Sequence, residues 1–93
     1  MADQPPRTRV AAVHAASVFL DREASIAKAC DLIAEAARGG ARVIAFPETF
    51  IPGYPYWVWT HTPPTGATLF REYFLNSVEV PGPATEILGA ASR

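Results

Sequence analysis

"ARVIAFPETFIPGYPYW", residues 41–57, joins a short apolar run to a loop dense in prolines and aromatics, with a single carboxylate, Glu48, just past the join. The run "ARVIAF" reads as a strand that Pro47 ends, because β-branched residues suit a pleated surface and proline cannot continue the ladder. A carboxylate among apolar residues is costly to desolvate, and that penalty makes such a group a better proton acceptor near neutral pH. Glu48 is therefore a candidate general base. A second reading fits the pattern as well: a structural carboxylate hydrogen-bonded to loop amides, since such groups are perturbed without taking part in chemistry.

Working outward, "RVAAVHAASVF" (residues 9–19) is an apolar, valine-bearing run whose continuity predicts a strand covered on both faces. Between the two runs lies "LDREASIAKACDLIAEAARGG" (residues 20–40), with Asp21 as N-cap, Glu23 in the first turn and a Gly39-Gly40 stop. Helical spacing puts Ile26, Cys30, Ile33 and Ala37 on one face, which should pack, and Lys28, Asp31, Glu35 and Arg38 on the opposite, solvated one. Two strands joined by a helix form a right-handed parallel unit. In open parallel sheets ligands sit beyond the carboxyl ends of the strands, which is where Glu48 falls.

The loop "TFIPGYPYWVWTHTPP" has the composition of a stiff, packed wall, with most of Tyr54, Tyr56, Trp57 and Trp59 expected to serve packing. A second helix is expected from Thr65 through "GATLFREYFLNSV", with Leu69, Phe70, Tyr73 and Phe74 on one side and Arg71, Glu72 and Asn76 on the other. Leu75 falls on that polar side. In "VPGPATEILGAASR", Pro83 suits a first helical turn, with Glu86 favourably near the same end.

Composition narrows the function classes. The chain has 93 residues, 49% of them apolar, and a formal net charge of -1. That is enough for one small α/β domain, while the missing Lys/Arg run speaks against a nucleic-acid or anionic-membrane partner. "MADQPPRTR" has no apolar stretch of signal-peptide length behind it, and no later run is long enough to cross a bilayer. A cytoplasmic protein is the expectation. One cysteine, Cys30, and two unclustered histidines, His14 and His61, call for no disulfide, no metal and no cofactor.

The order of these pieces, "VAAVHAA", then "GGARVIAFPE", "FPETFIPGYPYW" and "VEVPGP", resembles the N-terminal segment of the nitrilase branch of the carbon-nitrogen hydrolase superfamily. The resemblance runs from Arg9 onward and implies residues 1–8 as a flexible tail, followed over 9–93 by a partial domain that lacks its C-terminal side. It implies a four-layer α-β-β-α sandwich in the complete protein, assembled into homo-oligomers. It further implies a Glu, Lys and Cys catalytic set in which the glutamate takes the thiol proton, the cysteine attacks the nitrile carbon to give a thioimidate, and the lysine stabilises developing charge. Glu48 matches the family's glutamate, and Tyr54 matches a residue of the substrate pocket.

The lysine and cysteine of that set have no counterpart in the chain. Lys28 and Cys30 invite a false assignment, but both lie in the first helix, and a two-residue separation turns them about 200° apart. His14 stands where the family commonly carries Gln, and Ser17 where Pro is frequent; neither touches the proposed chemistry. The resemblance thus implies hydrolysis of an organic nitrile, with water, to a carboxylic acid and ammonia. An amidase or cyanide-degrading activity within the same superfamily is the alternative, and a non-catalytic truncated chain is the reading from a different class.

Overall fold

The computed structural model describes residues 4–93. The first three positions of the tail expected over residues 1–8 lie outside the described residues, and positions 4–8 are exposed without regular structure. Six elements follow in order: β1 (Val10–Ala12), α1 (Arg22–Arg38), β2 (Val43–Ala45), α2 (Trp57–Thr60), α3 (Pro63–Leu75) and α4 (Pro83–Ala91). The strands pair in parallel, Val10 with Val43, Ala11 with Ile44 and Ala12 with Ala45. Arg42 N donates to Arg9 O at 2.8 Å and Val13 N to Ala45 O at 2.8 Å, extending the pairing at both ends. The expected βαβ unit is present, with strands of only three residues each.

The sheet is covered on one face, not two. Ala11, Val13, Ile44 and Phe46 are half-buried, whereas Val10, Ala12, Val43 and Ala45 are exposed. Side chains alternate across a strand, so one apolar row borders clefts that it shares with α1 and the other lies exposed. Both rows are apolar, which is why the sequence reads as doubly covered. The shape agrees: the Cα radius of gyration is 16.7 Å, against roughly 12 Å for a compact domain of this length.

Helix α1 begins as its sequence dictates. Asp21 is its N-cap, with the carboxylate accepting from Ala24 N at 3.0 Å, and Gly40 leaves the far end at φ 91°. Glu23 pairs with Arg22 at 2.8 Å, and that hydrogen bond holds its carboxyl below the usual carboxylate range. A lowered folded-state value contributes stability above the unfolded pKa and loses it as pH falls through the folded one; full exposure keeps this effect small. The expected packing face is rotated slightly: Ser25, Ile26 and Ala29 are the buried positions, Cys30 and Ile33 are half-buried, and Ala37 is exposed. Helix α4 lies along α1, with Ile26, Ala27, Ala84 and Ile87 facing a shared cleft.

Two boundaries differ from the sequence reading. Helix α3 starts at Pro63, two residues before the expected Thr65, because prolines at the first helical positions lose only N–H groups that have no partner there. The expected loop also contains one helical turn, α2, too short for any periodicity to reveal. The C-terminal end of α3 is tied to the start of α1: Arg22 N donates to Asn76 Oδ1 at 3.2 Å and Arg22 Nη1 to Ser77 O at 3.1 Å.

Ser25 was read only as part of a helix, yet it is fully buried. Its hydroxyl donates to Val18 O at 2.9 Å and accepts from Val18 N at 3.1 Å, locking the chain after β1 onto α1. Ser25→Ala removes the side-chain partner of Val18 N, while Val18 O keeps its bond from Asp21 N at 3.0 Å, and losing one such hydrogen bond costs about 0.5–1.5 kcal/mol. Thermal unfolding should show a loss in that range for this variant; an unchanged melting midpoint would rule out the clamp.

Candidate active site

Glu48 follows β2 by three residues, at the carboxyl end of the parallel pair. The backbone turns sharply there: Thr49 has φ 52°, a left-handed conformation that β-branched residues avoid. Its hydroxyl donates to Glu48 O at 2.7 Å. Phe50 then turns inward, is buried, and meets Phe46 edge-on at 5.1 Å. The two phenylalanines fix the strand end on either side of Glu48, whose own side chain stays out.

From Pro52 the chain crosses over the segment that follows β1. Pro52 O accepts from Leu20 N at 2.9 Å, with Leu20 itself at φ 55°. Gly53, at φ 140°, allows this approach: a Cβ there would lie 3.1 Å from Phe19 Cδ1 and 3.2 Å from Ser17 Oγ. Trp57, 2% exposed, anchors the end of the loop, with Phe19 edge-on at 5.8 Å and Tyr73 at 5.3 Å.

These crossings border an open hollow of about 470 Å³ lined by Glu48, Tyr54 and Tyr56 from the loop and by Ala15, Ala16, Ser17 and Phe19 from the chain after β1. The structure therefore brings Glu48 and Tyr54 to one cavity, as the sequence reading expects. Tyr54 is half exposed, at 51%. The expected desolvation is not met, however. Glu48 is exposed, because its aromatic neighbours pack against one another and leave the carboxylate at the rim. Neither Lys28 nor Cys30 borders the hollow, in line with their exclusion as catalytic partners. His14 is exposed, and His61 Nδ1 lies 2.8 Å from Thr60 Oγ1.

Sequence reasoning missed Phe19 and Ser17 as cavity residues. Both belong to the run assigned to the first strand, and only the crossing of the later loop reveals their position. Gly53 was the available signal, since an isolated glycine in a stiff loop marks close backbone approach.

Glu48 thus stands at the carboxyl end of a parallel strand pair, at a cavity with a phenol beside it, the place where α/β proteins commonly bind small ligands. Residues 9–93 match the carbon-nitrogen hydrolase family. The chain belongs to that family. It is 50% identical to a nitrilase of Bacillus sp. (strain OxB-1) over 86 residues, 92% of this chain and 25% of the relative. An arylacetonitrilase of Aspergillus oryzae is 46% identical over 91 residues, covering 97% of this chain and 27% of that protein. An aliphatic nitrilase of Rhodococcus rhodochrous is 43% identical over 86 residues, 91% and 24% of the two chains. The chain thus spans about a quarter of the length of these curated relatives.

Gly53→Ala tests the crossing on which the hollow depends. It forces both an unfavourable φ and a contact with the Phe19 ring, so a destabilisation of about 1–3 kcal/mol is expected in denaturant unfolding. A variant as stable as the parent would show that the loop does not need this approach.

Proposed function

We propose that the protein to which this chain belongs hydrolyses an organic nitrile to a carboxylic acid and ammonia, with Glu48 as general base. The observation that carries this reading is the position of Glu48, at the carboxyl end of β2 and in one cavity with Tyr54, within a chain half identical to a nitrilase. In the reaction a cysteine outside the present residues gives its thiol proton to the Glu48 carboxylate. Its sulfur bonds to the nitrile carbon, one C–N π pair moves to nitrogen, and protonation there gives a thioimidate. A lysine, also outside these residues, balances the developing charge; water then releases ammonia, and a second water frees the acid and restores the thiol. Tyr54 lines the substrate pocket beside the base.

The same reading extends to the rest of the protein. The open apolar face of the sheet, Val10, Ala12, Val43 and Ala45, favours a second sheet packed on it, as the four-layer α-β-β-α sandwich requires. Residues 9–93 then form part of one domain behind a tail at 1–8. Phe70 and Phe74, 60% and 70% exposed on α3, suit burial by further chain or by a subunit of a homo-oligomer. A cytoplasmic location belongs to the same proposal; no helix among the described residues is long and apolar enough to cross a membrane.

Two measurements test it. In the full-length protein Glu48→Gln should keep the fold and lower kcat by at least about a hundredfold, the general scale for loss of a positioned base. Retention of parental turnover would sink the assignment. The 93-residue chain alone should release no ammonia from nitriles, amides or cyanide, because its hollow holds neither thiol nor amine. Ammonia above blank that disappears in Glu48→Gln would overturn that expectation.

A further inference from the structure

Phe19 and Tyr56 are not assigned to any chemistry by the reading above, yet both line the hollow that holds Glu48. Their ring centroids are 5.4 Å apart with planes inclined at 36°. Each keeps much of its surface open, 41% for Phe19 and 49% for Tyr56, although large aromatic side chains usually gain most by full burial. Phe19 is nonetheless held firmly. Its ring lies against the Gly53 backbone, where a Cβ would approach Cδ1 to 3.1 Å, and it meets the buried Trp57 edge-on at 5.8 Å. A pair of rings that is ordered from behind and open toward a cavity forms a preorganised wall, and a ligand meeting it orders few further rotors.

We infer that Phe19 and Tyr56 form an aromatic wall that contacts the organic group of the substrate and sets a preference for planar aryl nitriles over saturated ones of equal size. This rests on the nitrile reading. Both rings can offer edge or offset faces to an aryl group, an interaction beyond area burial that a saturated ring of the same bulk cannot return. Phe19 is the more telling of the two because it comes from the chain after β1, not from the loop that carries Glu48. It determines specificity without touching the reacting carbon.

The test compares phenylacetonitrile with cyclohexylacetonitrile, matched in size and differing in aromaticity, as substrates of the full-length protein. In Phe19→Leu, which keeps an apolar side chain against Gly53, the aryl-to-cyclohexyl ratio of kcat/KM should fall about 3- to 10-fold, the range that aromatic pair contacts support. Phe19→Tyr, which keeps the ring, should hold the parental ratio, and Tyr56→Leu should lower it in the same direction. General damage to the fold lowers both substrates together, so a Phe19→Leu protein with reduced activity and an unchanged ratio overturns the wall. An unchanged ratio at full activity does so equally. Should the parent protein hydrolyse no nitrile of a wider panel, the nitrile reading fails and the wall falls with it; turnover of other nitriles but not of phenylacetonitrile, or of both test nitriles with no change of ratio, defeats the wall alone.

Discussion

The hydrogen bond from Leu20 N to Pro52 O, 2.9 Å long, holds together the two segments from which the site is made. Each leaves the carboxyl end of a strand, and each would run freely over the surface without a fixed crossing point. The bond works only because three backbone constraints converge on it. Leu20 takes a left-handed φ of 55°, which lets its N–H turn toward the loop and leaves Asp21 extended as the cap of α1. Gly53 supplies the close approach just after Pro52. Ser25 fixes Val18, two residues upstream of the bond, from inside α1. Helix, strand end and loop are thereby joined at one place, and Glu48, Tyr54, Tyr56 and Phe19 share a cavity as a consequence.

The parts legible in the sequence are those whose signals are local. Asp21 as a cap, Gly39-Gly40 as a stop and Pro83 in a first turn each act within a few residues, and the structure has them where the chain announces them. Position of the carboxylate was legible for a related reason: a strand ended by proline puts the next residue at the carboxyl edge of the sheet. The start of α3 was misplaced because Pro63-Pro64 looks like the end of a loop as much as the beginning of a helix, and only the following backbone decides. Ser25 and Phe19 were not legible at all. Their roles depend on contacts with Val18 and with Gly53, and no spacing rule says that the chain will cross there.

Burial was the least legible property, and it separates what this chain builds from what it prepares. An apolar run shows that a strand can be covered on both faces; it does not show what covers it. Val10 and Val43 lie directly opposite one another in register, yet are 66% and 55% exposed. The same holds for Glu48, whose apolar neighbours satisfy one another in edge-to-face pairs and leave it at the rim of the hollow.

That arrangement has a consequence for the chemistry. An exposed carboxylate interacts with its surroundings through water, and a neighbouring charge several ångströms away affects it weakly. Closing the open side of the hollow with further apolar chain would change this, because every interaction of the carboxylate strengthens as water leaves. The residues described here fix where the Glu48 carboxylate stands and which aromatic surfaces border the hollow beside it. They do so with backbone devices that lie within these residues, two left-handed turns and one glycine contact. Desolvation of Glu48 is then a property conferred by whatever closes the cavity, which makes the position of this carboxylate and its burial separable in this fold.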